Sequence, residues 1–171
     1  MTSENRLGKY RLKSDSSLVP GGLWFEGLDE ADTPVFIHAL PANPMMPPFS
    51  AILDAWTGRI PTSSFRWKVE AVVEGTLGQA NGLWLVGEPL TGTTLEQWLE
   101  NYPVGVPWKT AEPLLNEALL AMKASRAAKA AHPGLSLSSF WITDEGEVLL
   151  TDFVPHTAMV LDNAGDDEGA T

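Results

Sequence analysis

The residue pattern changes once, near the middle of the chain, and that change limits the folds open to it. Up to about Val86 the apolar residues fall in short stretches rich in β-formers and separated by turn residues. Beyond Thr93 they recur at helical spacing. The first half offers strands at Tyr10–Leu12, Leu23–Leu28, Thr33–Leu40, Phe65–Val73 and Gly82–Val86, with turns at Pro20-Gly21-Gly22 and Asp29–Asp32. Pro41 to Pro48 holds four prolines and excludes a regular helix there, while a short helix is expected over Phe49–Trp56.

In the second half, Thr93-x-x-Glu96 has the form of a capping box, so a helix is expected from about Thr94 to Asn101. A longer one is expected over Ala111–Ala131, capped by Thr110, with Pro113 in its first turn. Leu115, Leu119 and Met122 share one face of it at i, i+4 and i+7, which predicts that this face is buried. Phe140–Thr143, the turn Asp144-Glu145-Gly146 and Val148–Thr151 predict a small β-hairpin.

Composition narrows the function classes. With no cysteine, disulfides and thiolate metal sites are excluded, and a reducing cytoplasm suits such a chain. The formal charge of −11 argues against non-specific nucleic-acid binding and against docking on anionic lipid. It serves solubility or a basic partner. No apolar run approaches the roughly 18 residues of a membrane helix, so no direct insertion in a membrane is expected. Seven tryptophans serve either the core or a contact surface. His38, His132 and His156 are too scattered for a metal motif.

Three stretches carry a family resemblance. Trp84–Leu95 resembles the last upper-lobe strand, hinge and following helix of a protein kinase. His132–Thr151, ending in Asp152-Phe153, resembles the catalytic loop, its hairpin and the metal-binding Asp-Phe-Gly. Val35-Phe36-Ile37-His38 resembles the strand that ends in the phosphate-binding lysine. The resemblance spans about residues 8 to 154. It implies an α+β, protein kinase-like fold: a five-stranded antiparallel N-lobe sheet plus a reduced helical C-lobe with a small β-hairpin. The implied organisation is a flexible N-terminus 1–7, an N-lobe 8–90, a truncated C-lobe 91–158 and an acidic disordered tail 159–171.

The same resemblance implies a degenerate site. His38 stands at the lysine position, Gly134 at the catalytic aspartate, Ser139 at the metal-binding asparagine and Pro133 at the arginine after His132. Without the positioned carboxylate roughly 10²–10⁴-fold of rate is lost. Asp54 is the only acid between Pro41 and Pro61 to partner a lysine. Of the three loop glycines only Gly22 remains when Phe25 is aligned with the family's aromatic; a register shifted onto Gly21 stays open. Asp152 and Phe153 survive, followed by Val154 instead of glycine. Outside the resemblance, His38 also suits a satisfied histidine on a sheet face, and Asp152 a hydrogen-bonded turn.

Alternation along the strand puts Phe36 on the face of His38, and Trp24 maps to the same adenine roof. Both aromatics are expected to occlude the nucleotide cleft, unless they turn away and pack a core. An open, adenine-sized cavity beside Phe36 would overturn the occlusion. Only 19 residues follow Asp152, so either the lower lobe is truncated or the chain belongs to a longer protein. The apolar face of helix 111–131 then lacks its usual cover and is expected to bind a protein partner or form a homodimer. The implied function is a non-catalytic pseudokinase, a bacterial signalling or scaffolding module with no cofactor, no bound metal and no catalytic residue. The alternatives are residual nucleotide chemistry through Asp152 and His38, and a purely structural domain in a larger assembly.

Overall fold

The computed structural model describes residues 5–14, 16–19, 24–40, 48–56, 66–77, 80–127, 130–131, 135–152 and 154–155. Its main feature is one antiparallel sheet of six strands: β1 (Arg6–Leu7), β2 (Tyr10–Leu12), β3 (Trp24–Leu28), β4 (Pro34–Ala39), β5 (Val69–Leu77) and β6 (Ala80–Gly87). Their order is β1-β2-β3-β4-β6-β5.

The expected kinase-like fold, with a five-stranded sheet above a helical lobe, is therefore corrected. The additional strand is β1, from the stretch expected to be a flexible N-terminus. Leu7 is buried and pairs with Tyr10 across the Gly8-Lys9 turn. The sheet curls until its outer strands nearly meet. Gly75 of β5 makes this possible, because a Cβ there would lie 2.7 Å from Leu7 Cδ1.

Curling gives the sheet two buried faces. Phe25, Val35, Ile37 and Trp84 pack with Leu7 and Tyr10 inside the curl. Trp24, Leu83 and Leu85 pack with Trp67, Trp141 and Leu149 on the other side. This is why Leu83–Gly87 is buried at every position and does not alternate with polar residues.

Among the described residues helix content is small, against the reduced helical lobe expected. α1 (Phe49–Trp56) forms where expected. After the two-residue strand β7 (Thr93–Thr94), α2 (Leu95–Leu99) is one turn and a half, with Thr94 as its cap accepting from Gln97 N at 3.2 Å. α3 (Trp108–Ala127) is the one long helix among the described residues. It starts before Thr110, on the Pro107 carbonyl, so Pro113 lies beyond its first turn. Ala130–Ala131 leaves the expected helix and forms a strand, β8. A 3-10 turn (Leu137–Ser139) then leads to β9 (Phe140–Ile142) and β10 (Val148–Leu150), the expected hairpin. β11 (Val154–Pro155) pairs with β8. Among the described residues, no helix is long and apolar enough to cross a membrane.

The face of α3 expected to be buried is exposed. Leu115, Leu119 and Met122 are 51%, 63% and 41% accessible. The buried stripe lies one residue back, at Leu114, Ala118, Ala121 and Ser125. Small side chains on that stripe let the helix approach the bulky Phe140, Ile142, Val148 and Leu150 of the hairpin. Close approach through small side chains, rather than the strength of the hydrophobic stripe, selected the buried face.

Candidate functional site

β3 and β4 pair so that Trp24 stands opposite His38. Side chains two apart on a strand share a face, so Phe36 and His38 point with Trp24 away from the inside of the curl. Trp24 stacks on the imidazole with centroids 4.0 Å apart and ring planes at 16°. The Trp67 and Trp141 rings lie 4.9 and 4.8 Å from Trp24. Each outer indole is anchored: Trp67 Nε1 donates to the Glu88 carbonyl (2.8 Å) and Trp141 Nε1 to the Thr91 carbonyl (2.6 Å). The Trp67 backbone N–H also donates to the Leu150 carbonyl of the hairpin (2.9 Å), so the tryptophan cluster ties sheet and hairpin together.

Asp152 arrives from the other direction. Beyond β10 the chain is fixed by Thr151, whose N–H and hydroxyl donate to the Ser139 carbonyl at 2.9 and 3.1 Å. The Asp152 carboxylate then meets His38 Nε2, 114 residues away in sequence. Because an ionised carboxylate only accepts, Nε2 donates. Both side chains are more than nine-tenths buried, and His38 Nδ1 makes no hydrogen bond. Arg66 is buried at the same junction, where its backbone bridges Leu150; burial pulls its guanidinium below the usual value.

Ser139, the expected metal-asparagine position, is wholly buried, and its Oγ accepts from Ser136 N at 3.0 Å as part of the 3-10 turn's cap. His132, Gly134, Gly22 and Phe153 lie outside the described residues, as do the tail 159–171 and His156. Among the described residues no cluster of three or more metal-ligating side chains occurs.

The two aromatics expected to occlude the cleft behave differently. Trp24 is fully buried over His38. Phe36 is only half-buried and lines an open cavity of about 480 Å³, so the expectation that both aromatics close this space is corrected at Phe36. Leu90 and Trp141 also line the cavity, with Gln97, Glu100 and Asn101 as polar groups. Gly92 also lines it and lets the chain pass close to the hairpin, since a Cβ there, at φ +89°, would collide with the Ile142 carbonyl at 1.9 Å. Neither His38 nor Asp152 reaches the cavity, and Glu100 is the one charged residue among its described lining.

Trp67, Trp141 and Arg66 were missed as members of this junction by the sequence. The number of tryptophans was the available signal, but nothing local assigns an indole to one partner among many.

No protein-family model matches the chain, and no curated protein matches it.

Proposed function

We propose that this chain is a non-catalytic protein-interaction or scaffolding module of the cytoplasm, a degenerate derivative of the kinase motif set that does not hold a metal–triphosphate. One observation carries this reading: Asp152, the surviving acid of the motif set, is bound to His38, both side chains are more than nine-tenths buried, and Trp24 stacks on the imidazole. Phosphoryl transfer needs cations and metal ions at the phosphates. A carboxylate already engaged by an imidazole and removed from solvent cannot serve a hydrated Mg²⁺ without breaking that contact. The proposed derivation is supported by the meeting of the lysine and aspartate positions, not by the overall architecture. The cysteine-free composition suits the cytoplasm.

A second reading is favoured by the cavity beside Phe36: a nucleotide base held there without metal and without chemistry. The acidic Glu100, with no lysine or arginine among the described lining residues, disfavours a polyphosphate tail.

Thermal-shift titration with ATP, alone and with Mg²⁺ or Mn²⁺, separates the readings, because a ligand that binds the folded state raises its melting temperature. No shift is expected under either condition. A metal-dependent rise abolished in Asp152→Asn would overturn the proposal. A metal-independent rise weakened in Phe36→Ala would establish the second reading.

A further inference from the structure

α3 carries two apolar stripes one residue apart. The first, Leu114, Ala118 and Ala121, is used against the hairpin. The second runs Trp108, Glu112, Leu115, Leu119, Met122, Arg126, at alternating spacings of four and three residues. That is the spacing of a coiled-coil seam. All six positions are exposed, Trp108 at 65% and Leu119 at 63%. The stripe runs the length of a helix about 30 Å long. It borders an apolar groove of about 170 Å³ between α2 and α3, which Leu115 and Leu137 also line.

The charges on this stripe are arranged end to end. Glu112 lies near the helix N-terminus and Arg126 near the C-terminus. Among the described residues, neither the Glu112 nor the Arg126 side chain enters an ion pair or hydrogen bond. This is self-complementary in one orientation only. If a second copy lies antiparallel with Leu115 against its Leu119, every seam position meets a seam position. Glu112 meets Met122 of the second copy, one turn from its Arg126, and Trp108 meets that Arg126, a cation over an indole face. The helix dipoles then oppose. A parallel pair would set Glu112 on Glu112 and Arg126 on Arg126.

We infer that α3 is the dimerisation element of this chain and that its occupant is a second copy, packed antiparallel through Trp108, Leu115, Leu119 and Met122. The inference rests on the reading of the chain as an interaction module and names its first partner. A single helix pair is at the small end of stable interfaces, so a micromolar dimer is expected.

Sedimentation velocity of the full chain over the micromolar range tests it. A reversible monomer–dimer equilibrium is expected. Leu119→Glu should weaken it at least about tenfold while leaving the circular dichroism spectrum and the melting of the dilute monomer intact. Glu112→Arg and Arg126→Glu should each weaken it, and their equimolar mixture should restore it, since unlike charges then meet at both ends. Three results would overturn the inference: a monomer throughout, a dimer indifferent to Leu119→Glu, or a mixture no tighter than its components. Collapse of the monomer's own melting in Leu119→Glu would also overturn it, by showing that the face is covered within the chain. The nucleotide titration does not depend on α3, so failure of the dimer and failure of the non-catalytic reading are read separately.

Discussion

The sheet around Trp24 and the outer stripe of α3 both carry large apolar side chains, with opposite fates. In the sheet, large aromatics are buried from both sides, and they enclose the polar pair His38–Asp152. On α3, the large side chains Leu115, Leu119 and Met122 face solvent, while smaller ones face the hairpin. The contrast separates internal cohesion from outward display. Where the chain meets its own distant parts, it uses indoles that fill space, two of them anchored through Nε1–H. Where it leaves a regular apolar stripe outside, the stripe has the spacing of a helix seam.

The comparison can be broken by measurement, starting with the largest effect. Trp24→Ala removes the ring that touches His38, Trp67 and Trp141. It should cost about 3–5 kcal/mol in chemical denaturation, as for other large-to-small core changes. A cost under about 1 kcal/mol would mean that the junction is not the cohesive region.

Asp152→Ala leaves His38 Nε2 buried without its acceptor and should cost about 1–3 kcal/mol. In a double-mutant cycle, adding His38→Ala should cost less than the sum of the single changes, because the orphaned donor goes with it.

Leu119→Ser should change the stability of the dilute monomer by no more than about 0.5 kcal/mol, the scale of exposed positions. A larger loss would erase the distinction between the two regions.

The smallest effect concerns the turn between β3 and β4, which sets the register of Trp24 against His38. Asp29 accepts there from the backbone N–H groups of Thr33 (2.9 Å) and Ala31 (2.8 Å). The Thr33 bond first, and the Ala31 bond with it, hold its carboxyl below the usual carboxylate range. A depressed folded value means that the stabilisation is present above the unfolded pKa and is lost as pH falls through the folded one. These hydrogen bonds lie at the surface, so Asp29→Asn should remove only a slight part of the acid-side loss in a pH series of melting curves.

Local pattern made five of the six sheet strands, the α1 and α2 helices and the Phe140–Leu150 hairpin legible. β-branched and aromatic runs, turn residues and a capping threonine act over a few positions, as at Thr33–Leu40 and Thr94. The sixth strand was not legible, because a two-residue strand such as Arg6–Leu7 has no periodicity of its own and exists through pairing with Tyr10–Leu12. The face of α3 was misread for a related reason. Leu115, Leu119 and Met122 form the stronger hydrophobic stripe, but the hairpin's bulky surface accepts only the smaller one.

At the site, alternation along β4 placed Phe36 and His38 on one face before any coordinates. The sequence order of motifs marked His38 and Asp152 as positions to compare. It did not say that they would touch, because a contact across 114 residues depends on how the hairpin docks under the sheet. Local periodicity determined most strands of the main sheet and the principal helix. Tertiary structure alone decided the curl of the sheet, the burial of the His38–Asp152 pair and the stripe of α3 left outside. Each of those rests on steric fit between segments far apart in the chain, which no short-range pattern encodes.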